Sequence, residues 1–239
     1  MKLKAVILVM LLTTVFYSCS NSVEYSEVFK KETSGKYSYN PNEVIEVSYE
    51  GNNIYINWRG GKLKTISLSE DEFYVADMNK KLRFVEHPET EAQYLSVVSE
   101  DDTKTTYDYR KMPDDYMTPS MHLKAGNYEA ALEGFLEIKR QDSLSPFINE
   151  WDFNRLGYDY FGKGKYKDAI AVFTMNTKLH PTSDNVYDSL AEAYLFTGDS
   201  LQAYHNYKKA LQFNTGNRRA KRFLKVYRPK QELDSVQND

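Results

Sequence analysis

The feature that most constrains the fold of this chain is an internal repeat of 34 residues in its C-terminal half. Two segments align at that spacing without gaps, with small residues opposite small ones and aromatic residues recurring. Repeats of this length are typical of helical hairpins that bury their apolar faces by stacking on the next copy. Gly164 and Gly198 mark the turn inside each hairpin. The matching positions are Phe153, Leu156, Gly157, Tyr160, Ala169 and Phe173 in the first copy, and Tyr187, Leu190, Ala191, Tyr194, Ala203 and Tyr207 in the second.

These positions carry a resemblance to a known family. Their order and spacing resemble those of the tetratricopeptide repeat, and Pro181 closes the first copy as it does in that family. Two positions depart from the pattern, because Asn176 stands where alanine is usual and Thr215 where the second closing proline would be. The resemblance implies a pair of antiparallel helices in each repeat. It also implies a protein-binding module without enzyme activity.

The array is expected to extend beyond the two clear copies. Residues 128–135 echo residues 166–173 at an offset of 38, so a degenerate first repeat precedes a loop at 141–149 with about four extra residues. Residues 219–227 are interpreted as a cap helix, with Leu224 on its apolar side. The predicted helical domain therefore spans 113–228, with about three helix pairs and the cap, and a flexible tail at 229–239.

Stacked hairpins leave a concave groove lined by the first helix of each pair. Aromatic, amide and acidic groups together suit an extended protein segment or a partner helix. An alternative is that Trp151 and Tyr158 pack against the inserted loop or the β domain. The groove carries the acids Asp188 and Glu192 and no lysine, so it is expected to repel the acidic end of a peptide. The predicted groove residues are Trp151, Asn154, Tyr158, Phe161, Asn185, Asp188, Glu192 and Leu195.

Residues 34–112 predict a separate antiparallel β domain, which makes the fold class α+β. Ile54, Ile56 and Trp58 alternate with polar residues, and turn-forming Gly and Asn residues bound these runs. Alternation with a period of two indicates half-buried strands. Seven or eight strands are expected, arranged as a meander in a small sandwich or partial barrel. The later strands are predicted at Phe73–Val75, Leu82–Val85, Tyr94–Val98 and Thr105–Tyr109.

The β segment resembles the small domain that follows the catalytic domain in β-lactamase-like serine hydrolases, through residues 34–37, 44–47, 51–55 and 72–73. The catalytic Ser-x-x-Lys motif of those enzymes is absent, since no serine has a lysine three residues later. Ser183, Asp184 and Asn185 spell a second motif of that family, but they fall at a repeat boundary where such residues cap helices. We therefore expect no enzyme. The alternative is an accessory or stand-alone C-terminal part of such a hydrolase system.

The N-terminal sequence is typical of an export signal. Lys2 and Lys4 precede an apolar run, and the only cysteine, Cys19, follows Ser18 at its end. This pattern resembles a lipoprotein signal, although Phe16 stands where leucine is commonest. The resemblance implies cleavage after residue 18, lipidation of Cys19, and a lipid-anchored protein of the bacterial cell envelope, on the outer membrane, facing the periplasm or the cell surface. Residues 19–33 would be a linker. A plain signal peptide or an uncleaved anchor is the alternative.

Other classes of function find little support. A net charge of −3 disfavours nucleic acid as the main partner, since phosphate binding needs clustered cations. The four histidines are widely spaced and no glycine-rich phosphate loop follows a strand, so neither a metal nor a cofactor is expected. The basic residues around Arg219 are interpreted as a solvated surface. Carbohydrate binding by Tyr55 or Trp58 remains an alternative based on composition.

Overall fold

The computed structural model describes residues 23–99, 101 and 104–228. The signal segment, the predicted lipidation site Cys19 and the tail at 229–239 lie outside the described residues. By its internal contacts the described part of the chain divides into two compact units, the first made of the residues up to 39 and of 44–114, the second of residues 40–43 and of those from 115 onward. The first unit contains a β-sheet and the second is helical.

Among the described residues, the β unit contains a short helix, α1, followed by nine strands and a 3-10 turn at Ala76–Met78. The bounds are α1 (Glu27–Thr33), β1 (Gly35–Asn40), β2 (Glu43–Glu50), β3 (Asn53–Trp58), β4 (Gly61–Lys64), β5 (Ile66–Ser67), β6 (Glu72–Val75), β7 (Lys80–Glu86), β8 (Gln93–Val97) and β9 (Tyr109–Lys111).

All nine strands belong to one antiparallel sheet, in the order β4-β3-β2-β1-β9-β8-β7-β6-β5. The two outer strands, β4 and β5, are joined by the single residue Thr65. Its N–H and its hydroxyl both donate to the carbonyl of Ile54, each at 3.1 Å. The chain thus passes directly from one edge of the sheet to the other, and the sheet is nearly a closed barrel. Of the two arrangements predicted, the partial barrel describes this sheet, and the sandwich of two sheets does not.

Strand β9 lies later in the sequence than predicted. It covers Tyr109–Lys111 rather than Thr105–Tyr109, because side chains replace part of the backbone pairing. The N–H of Val97 donates to Oδ2 of Asp108 at 2.7 Å, and the N–H of Thr106 donates to Oγ of Ser96 at 3.0 Å. Aspartate and serine satisfy backbone amides in this way where a regular ladder is interrupted.

Helix α1 lies in the segment 19–33, which was predicted to be a linker. Ser26 accepts a hydrogen bond from the N–H of Phe29 at 3.1 Å, which caps the helix. Phe29 packs with the buried Tyr25 against the core of the sheet. Asn52 holds the chain before the helix by accepting the N–H of Tyr25 at 2.9 Å. The linker prediction is therefore wrong from Tyr25 onward, because these aromatic side chains belong to the β core.

The helical unit consists of seven helices and one 3-10 turn at Pro146–Ile148 among the described residues. The helices are α2 (Pro119–Lys124), α3 (Tyr128–Gln141), α4 (Glu150–Gly162), α5 (Tyr166–Leu179), α6 (Asp184–Phe196), α7 (Ser200–Phe213) and α8 (Arg218–Val226). In the part of the chain that the structure describes, no helix has both the length and the apolar character needed to cross a bilayer.

Helix boundaries repeat with the spacing seen in the sequence. Helices α4, α6 and α8 begin at Glu150, Asp184 and Arg218, which are 34 residues apart in each step. In the hairpin of α4 and α5, Gly157 lies against the buried ring of Phe173, and in the next hairpin Ala191 is buried in one cluster with Tyr207. The predicted array of stacked helical hairpins is confirmed. The helix starts keep the 34-residue spacing of the repeat in the sequence.

The inserted loop between the first two hairpins is held by His180. The Nε2 atom of its ring lies 2.8 Å from the carbonyl oxygen of Ile148, so the neutral ring donates through Nε2. Burial lowers the pKa of His180, although the hydrogen bond to Ile148 and the charge of Glu150 oppose that effect. The folded state therefore binds a proton less readily than the unfolded chain, in which the pKa is about 6.5.

This lowered pKa predicts a pH-dependent loss of stability. The contribution of His180 is fully present above pH of about 6.5 and is lost as the pH falls toward the lower folded value, because the unfolded chain then takes up the proton first. We expect the free energy of unfolding, measured by urea denaturation, to fall less between neutral and mildly acidic pH in His180→Gln than in the native protein. Equal slopes would contradict this role.

Candidate functional site

The first helices of the successive hairpins place equivalent residues on one side of the helical unit. Positions separated by 34 residues bring Trp151, Asn185 and Arg219 into one row and Tyr158, Glu192 and Val226 into another. We call the surface formed by Trp151, Tyr158, Asn185, Asp188, Glu192 and Arg219 the first-helix face.

Two aromatic side chains form the apolar part of the first-helix face. Trp151 and Tyr158 are two turns apart on α4 and therefore lie on the same side of that helix. Trp151 is 68 % exposed, which rules out the alternative that it is packed against the inserted loop. Tyr158 is half-exposed, and its ring packs edge-on against Phe173, with 5.0 Å between the centroids. One ring is thus free while the other is fixed.

Polar side chains connect each hairpin to the next across this face. Nδ2 of Asn185 donates to Oε1 of Glu150 at 3.0 Å, and the hydroxyl of Tyr158 donates to Oε2 of Glu192 at 2.8 Å. Burial raises the pKa of the Tyr158 hydroxyl, and the charge of Glu192 adds to that increase. The hydroxyl therefore stays protonated and remains a donor to Glu192 at neutral pH.

Arg219 was missed as a site residue. The sequence reading placed it on a solvated cap, but it forms an ion pair with Glu192 and lies 3.6 Å from Asp188. Burial by itself would lower the pKa of the guanidinium, but the two carboxylates outweigh burial and raise it. Extending the 34-residue register by one step, from Trp151 and Asn185 to Arg219, would have found it.

The arginine also corrects the expected charge of this surface. Asp188 and Glu192 were expected to present uncompensated acids to a partner. In the structure both carboxylates have partners, because Arg219 contacts each of them and Nδ2 of Asn217 donates to Oδ1 of Asp188 at 2.8 Å. The cluster of two acids and one arginine has a formal charge of −1 rather than −2.

Three other predicted groove residues contribute less surface. Asn154 is buried, and its Oδ1 has no hydrogen-bond partner among the described residues. Phe161 is half-buried and packs against Phe196, with 4.8 Å between ring centroids. Leu195 is partly exposed at the far end of α6. Asn154 and Phe161 therefore offer little binding surface, and Leu195 offers one partly exposed apolar side chain.

The tripeptide that matches a β-lactamase motif has a structural role. Ser183 precedes α6 as its N-terminal cap residue, and Asp184 is the first residue of the helix. Oδ2 of Asp184 accepts a hydrogen bond from Asn214 at 2.8 Å, and Asn185 bonds to Glu150 as described above. Asp184 and Asn185 therefore make contacts between repeats, and Ser183 occupies the N-cap position without a capping hydrogen bond from its side chain.

The β unit gives no comparably organised site. Tyr55 and Trp58, the residues considered for carbohydrate binding, each have a cation over the ring, with Lys62 at 4.5 Å and Arg59 at 4.8 Å from the centroids. The faces that would stack on a sugar are thus occupied from one side. No group of three His, Cys, Asp or Glu residues in the described ranges is arranged to hold a metal ion.

Comparisons with known proteins locate similarity but no family. No model of a known protein family matches the chain. Among curated proteins, the chain is similar to Heat shock protein STI1 of Saccharomyces cerevisiae, with 29% identity over 115 residues. That match covers 48% of this chain and 19% of the yeast protein. The chain therefore spans about a fifth of the curated relative that it matches.

Solved structures similar to the chain include a crystal structure of MamA protein, with 22% identity and a TM-score of 0.29 over 43% of this chain and 54% of that one. Another is the first TPR of Spaghetti (RPAP3) bound to the HSP90 peptide SRMEEVD, with 16% identity and a TM-score of 0.31 over 51% of this chain and 88% of that one. The chain spans about half of the MamA chain. Similarity at this level identifies no shared ligand.

Proposed function

We propose that this protein is a lipoprotein of the bacterial cell envelope that binds a protein partner through its first-helix face and has no enzyme activity of its own. The anchor would be the acylated Cys19 behind the export signal of Lys2, Lys4 and the apolar run. The observation that carries the binding role is the exposure of Trp151 on a surface whose other side chains are fixed by hydrogen bonds.

The chemistry of the face defines the kind of partner. A tryptophan side chain buries about 150–250 Å² when covered, so leaving Trp151 in water has a cost that a partner would remove. Exposed aromatic residues next to ordered polar groups are the usual centres of binding energy in protein interfaces. Because the neighbouring acids keep a formal charge of −1, the partner segment would be neutral or basic. It would place an apolar side chain on Trp151 and a donor near Glu192.

The binding role is tested by replacing Trp151. Trp151→Ala should weaken binding of the partner by about 30-fold, because truncation of a central aromatic residue costs about 2 kcal/mol or more. Leu144→Ala is the matched control, since Leu144 is 91 % exposed and lies in the inserted loop and not on a first helix. A photo-crosslinking residue at 151 or at 144, used in the native envelope, identifies the partner whose affinity is then measured.

Two results would contradict the proposal. Equal crosslinking from positions 151 and 144, or equal affinity of the two alanine variants, would exclude the first-helix face as the binding surface. The anchor is tested separately by labelling cells with radioactive palmitate. Label should enter the native protein and not Cys19→Ala, and label in neither form would refute the lipoprotein assignment.

A further inference from the structure

The C-terminal end of the helical unit has an unusual distribution of charge. Residues 200–228 hold eight of the 31 basic side chains and none of the 34 acidic ones. The chain as a whole has a net charge of −3, so this end is positive against a negative remainder. Helix α8 contributes five of the eight, and α7 packs directly against it. The charge is therefore concentrated at one end of the array.

Helix α8 separates its side chains by chemistry. Ala220 is buried, and Phe223 and Leu224 pack with it against the hairpin of α6 and α7. At 100° per residue the opposite side of the helix holds four cations, and all four are exposed. We call this surface the basic face of α8. It consists of Arg218, Lys221, Arg222 and Lys225.

Arg219 differs from the basic face in having carboxylate partners. It projects to another side of α8, where it contacts Asp188 and Glu192. Among the described residues, none of the four side chains of the basic face has a carboxylate within 4.0 Å. Arg219 therefore connects α8 to α6, whereas the four side chains of the basic face are exposed to solvent.

We propose that the basic face of α8 docks on the anionic headgroups of the phospholipid membrane that holds the anchor. This inference rests on the proposed lipid anchor, which would keep the face at a high effective concentration next to the bilayer. Each lysine or arginine near an anionic surface contributes about 1 kcal/mol, so four cations together bind when a tether holds them close.

The form of the basic face favours lipid over an acidic protein. An acidic protein segment would need aromatic or amide groups between the cations to fix its position, and the basic face has neither. A layer of headgroups needs only charge of the opposite sign. Since Phe223 and Leu224 pack against the array, α8 has no apolar face left to insert, and docking would remain at the headgroup level. Val226, 82 % exposed at the end of the helix, would approach the surface.

The test uses the full lipidated chain reconstituted on vesicles. Val226→Cys supplies the only thiol, because lipidation converts the sulfur of Cys19 to a thioether, and this thiol carries an environment-sensitive fluorophore. Vesicles of phosphatidylcholine alone are compared with vesicles that also contain phosphatidylglycerol. We expect the emission to shift only on the anionic vesicles, and the shift to disappear in about 1 M salt, where the screening length falls to about 3 Å. The same label at Leu144→Cys should show no such shift.

Two charge-reversal variants distinguish an effect of the basic face from an effect of the net charge of the protein. The triple variant Arg218→Glu, Arg222→Glu and Lys225→Glu should lower the ratio of docked to undocked protein by at least about tenfold. The matched control reverses three exposed lysines elsewhere, Lys163→Glu, Lys165→Glu and Lys167→Glu, with the same change in total charge. Circular dichroism confirms that both variants keep their helices. The proposal predicts loss in the first variant and docking in the second.

Several outcomes would overturn this proposal. No shift on anionic vesicles, while the protein stays bound to them, would exclude docking, and equal effects of the two triple variants would reduce it to net charge. A shift caused by polyglutamate at lower concentration than by anionic lipid would make the face a protein-binding surface instead. Retention on neutral vesicles reports the lipid anchor alone, so failure of the anchor is distinguished from failure of the basic face.

Discussion

Phe173→Ala is expected to lower the free energy of unfolding of the helical unit by about 3–5 kcal/mol, the usual cost of removing a fully buried phenylalanine ring. The Phe173 side chain is 1 % exposed. It lies against Gly157 in its own hairpin, and it packs with Leu190 and Ala193 of the next one. The ring therefore packs within its own hairpin and against the next one. Its removal leaves a cavity between the two hairpins.

Urea denaturation followed by the helical circular dichroism signal measures this effect, with the slope against urea concentration checked for constancy. Phe196→Ala is the matched control, because it also removes a phenylalanine ring but at a site that is 60 % exposed. The ring of Phe196 contacts those of Phe161 and Tyr166 at the surface. We expect a loss below about 1 kcal/mol there, as for most surface substitutions. If the two substitutions cost the same, Phe173 does not hold the hairpins together.

The helical half was predictable because its contacts are local and periodic. A small residue at 157 or 191 and a ring at 173 or 207 are needed wherever two helices of one hairpin cross closely, so the pattern repeats in the sequence. The turns and helix starts follow from the same register. Arg219 was missed because that register was stopped at a cap helix, although α8 begins 34 residues after α6.

The closure of the β-sheet could not be read from the sequence. Alternation of apolar residues shows which side of a strand is buried but not which strand it pairs with. Strand β1 pairs with β9, so that Tyr37 lies opposite Lys111, far along the chain. Nothing local to either strand specifies that pairing. The number of strands was nearly right, whereas the order and the near closure depend on contacts between distant segments.

The first-helix face could be predicted by position but not by chemistry. Register alone indicated which residues of α4 and α6 share a side, and Trp151 and Tyr158 are on it. It could not show that Asn154 is buried, or that a guanidinium from the next helix would pair with Glu192. Those facts depend on how closely neighbouring hairpins approach, which is set by packing across the whole array.

That close approach gives the second prediction, for Gly157. In the interior of a helix, Gly→Ala normally stabilises by about 1 kcal/mol. Gly157→Ala should instead destabilise the helical unit by about 1–2 kcal/mol. A Cβ at this position would lie 2.7 Å from both Cδ1 and Cζ of Phe173, and forcing extra volume into a packed core costs about 1–3 kcal/mol. Gly162→Ala is the matched control, because a Cβ at the end of the same helix meets nothing within 4 Å.

A double substitution shows whether the clash with Phe173 is the cause. In the background of Phe173→Leu, whose smaller side chain leaves room, Gly157→Ala should cost less than it does in the native protein, and the difference measures the coupling. The equivalent pair one repeat later, Ala191 and Tyr207, is buried in one cluster, so a hairpin of this type can accommodate a Cβ at this position. An equal cost in both backgrounds would show that contact with the Phe173 ring is not what makes Gly157→Ala destabilising.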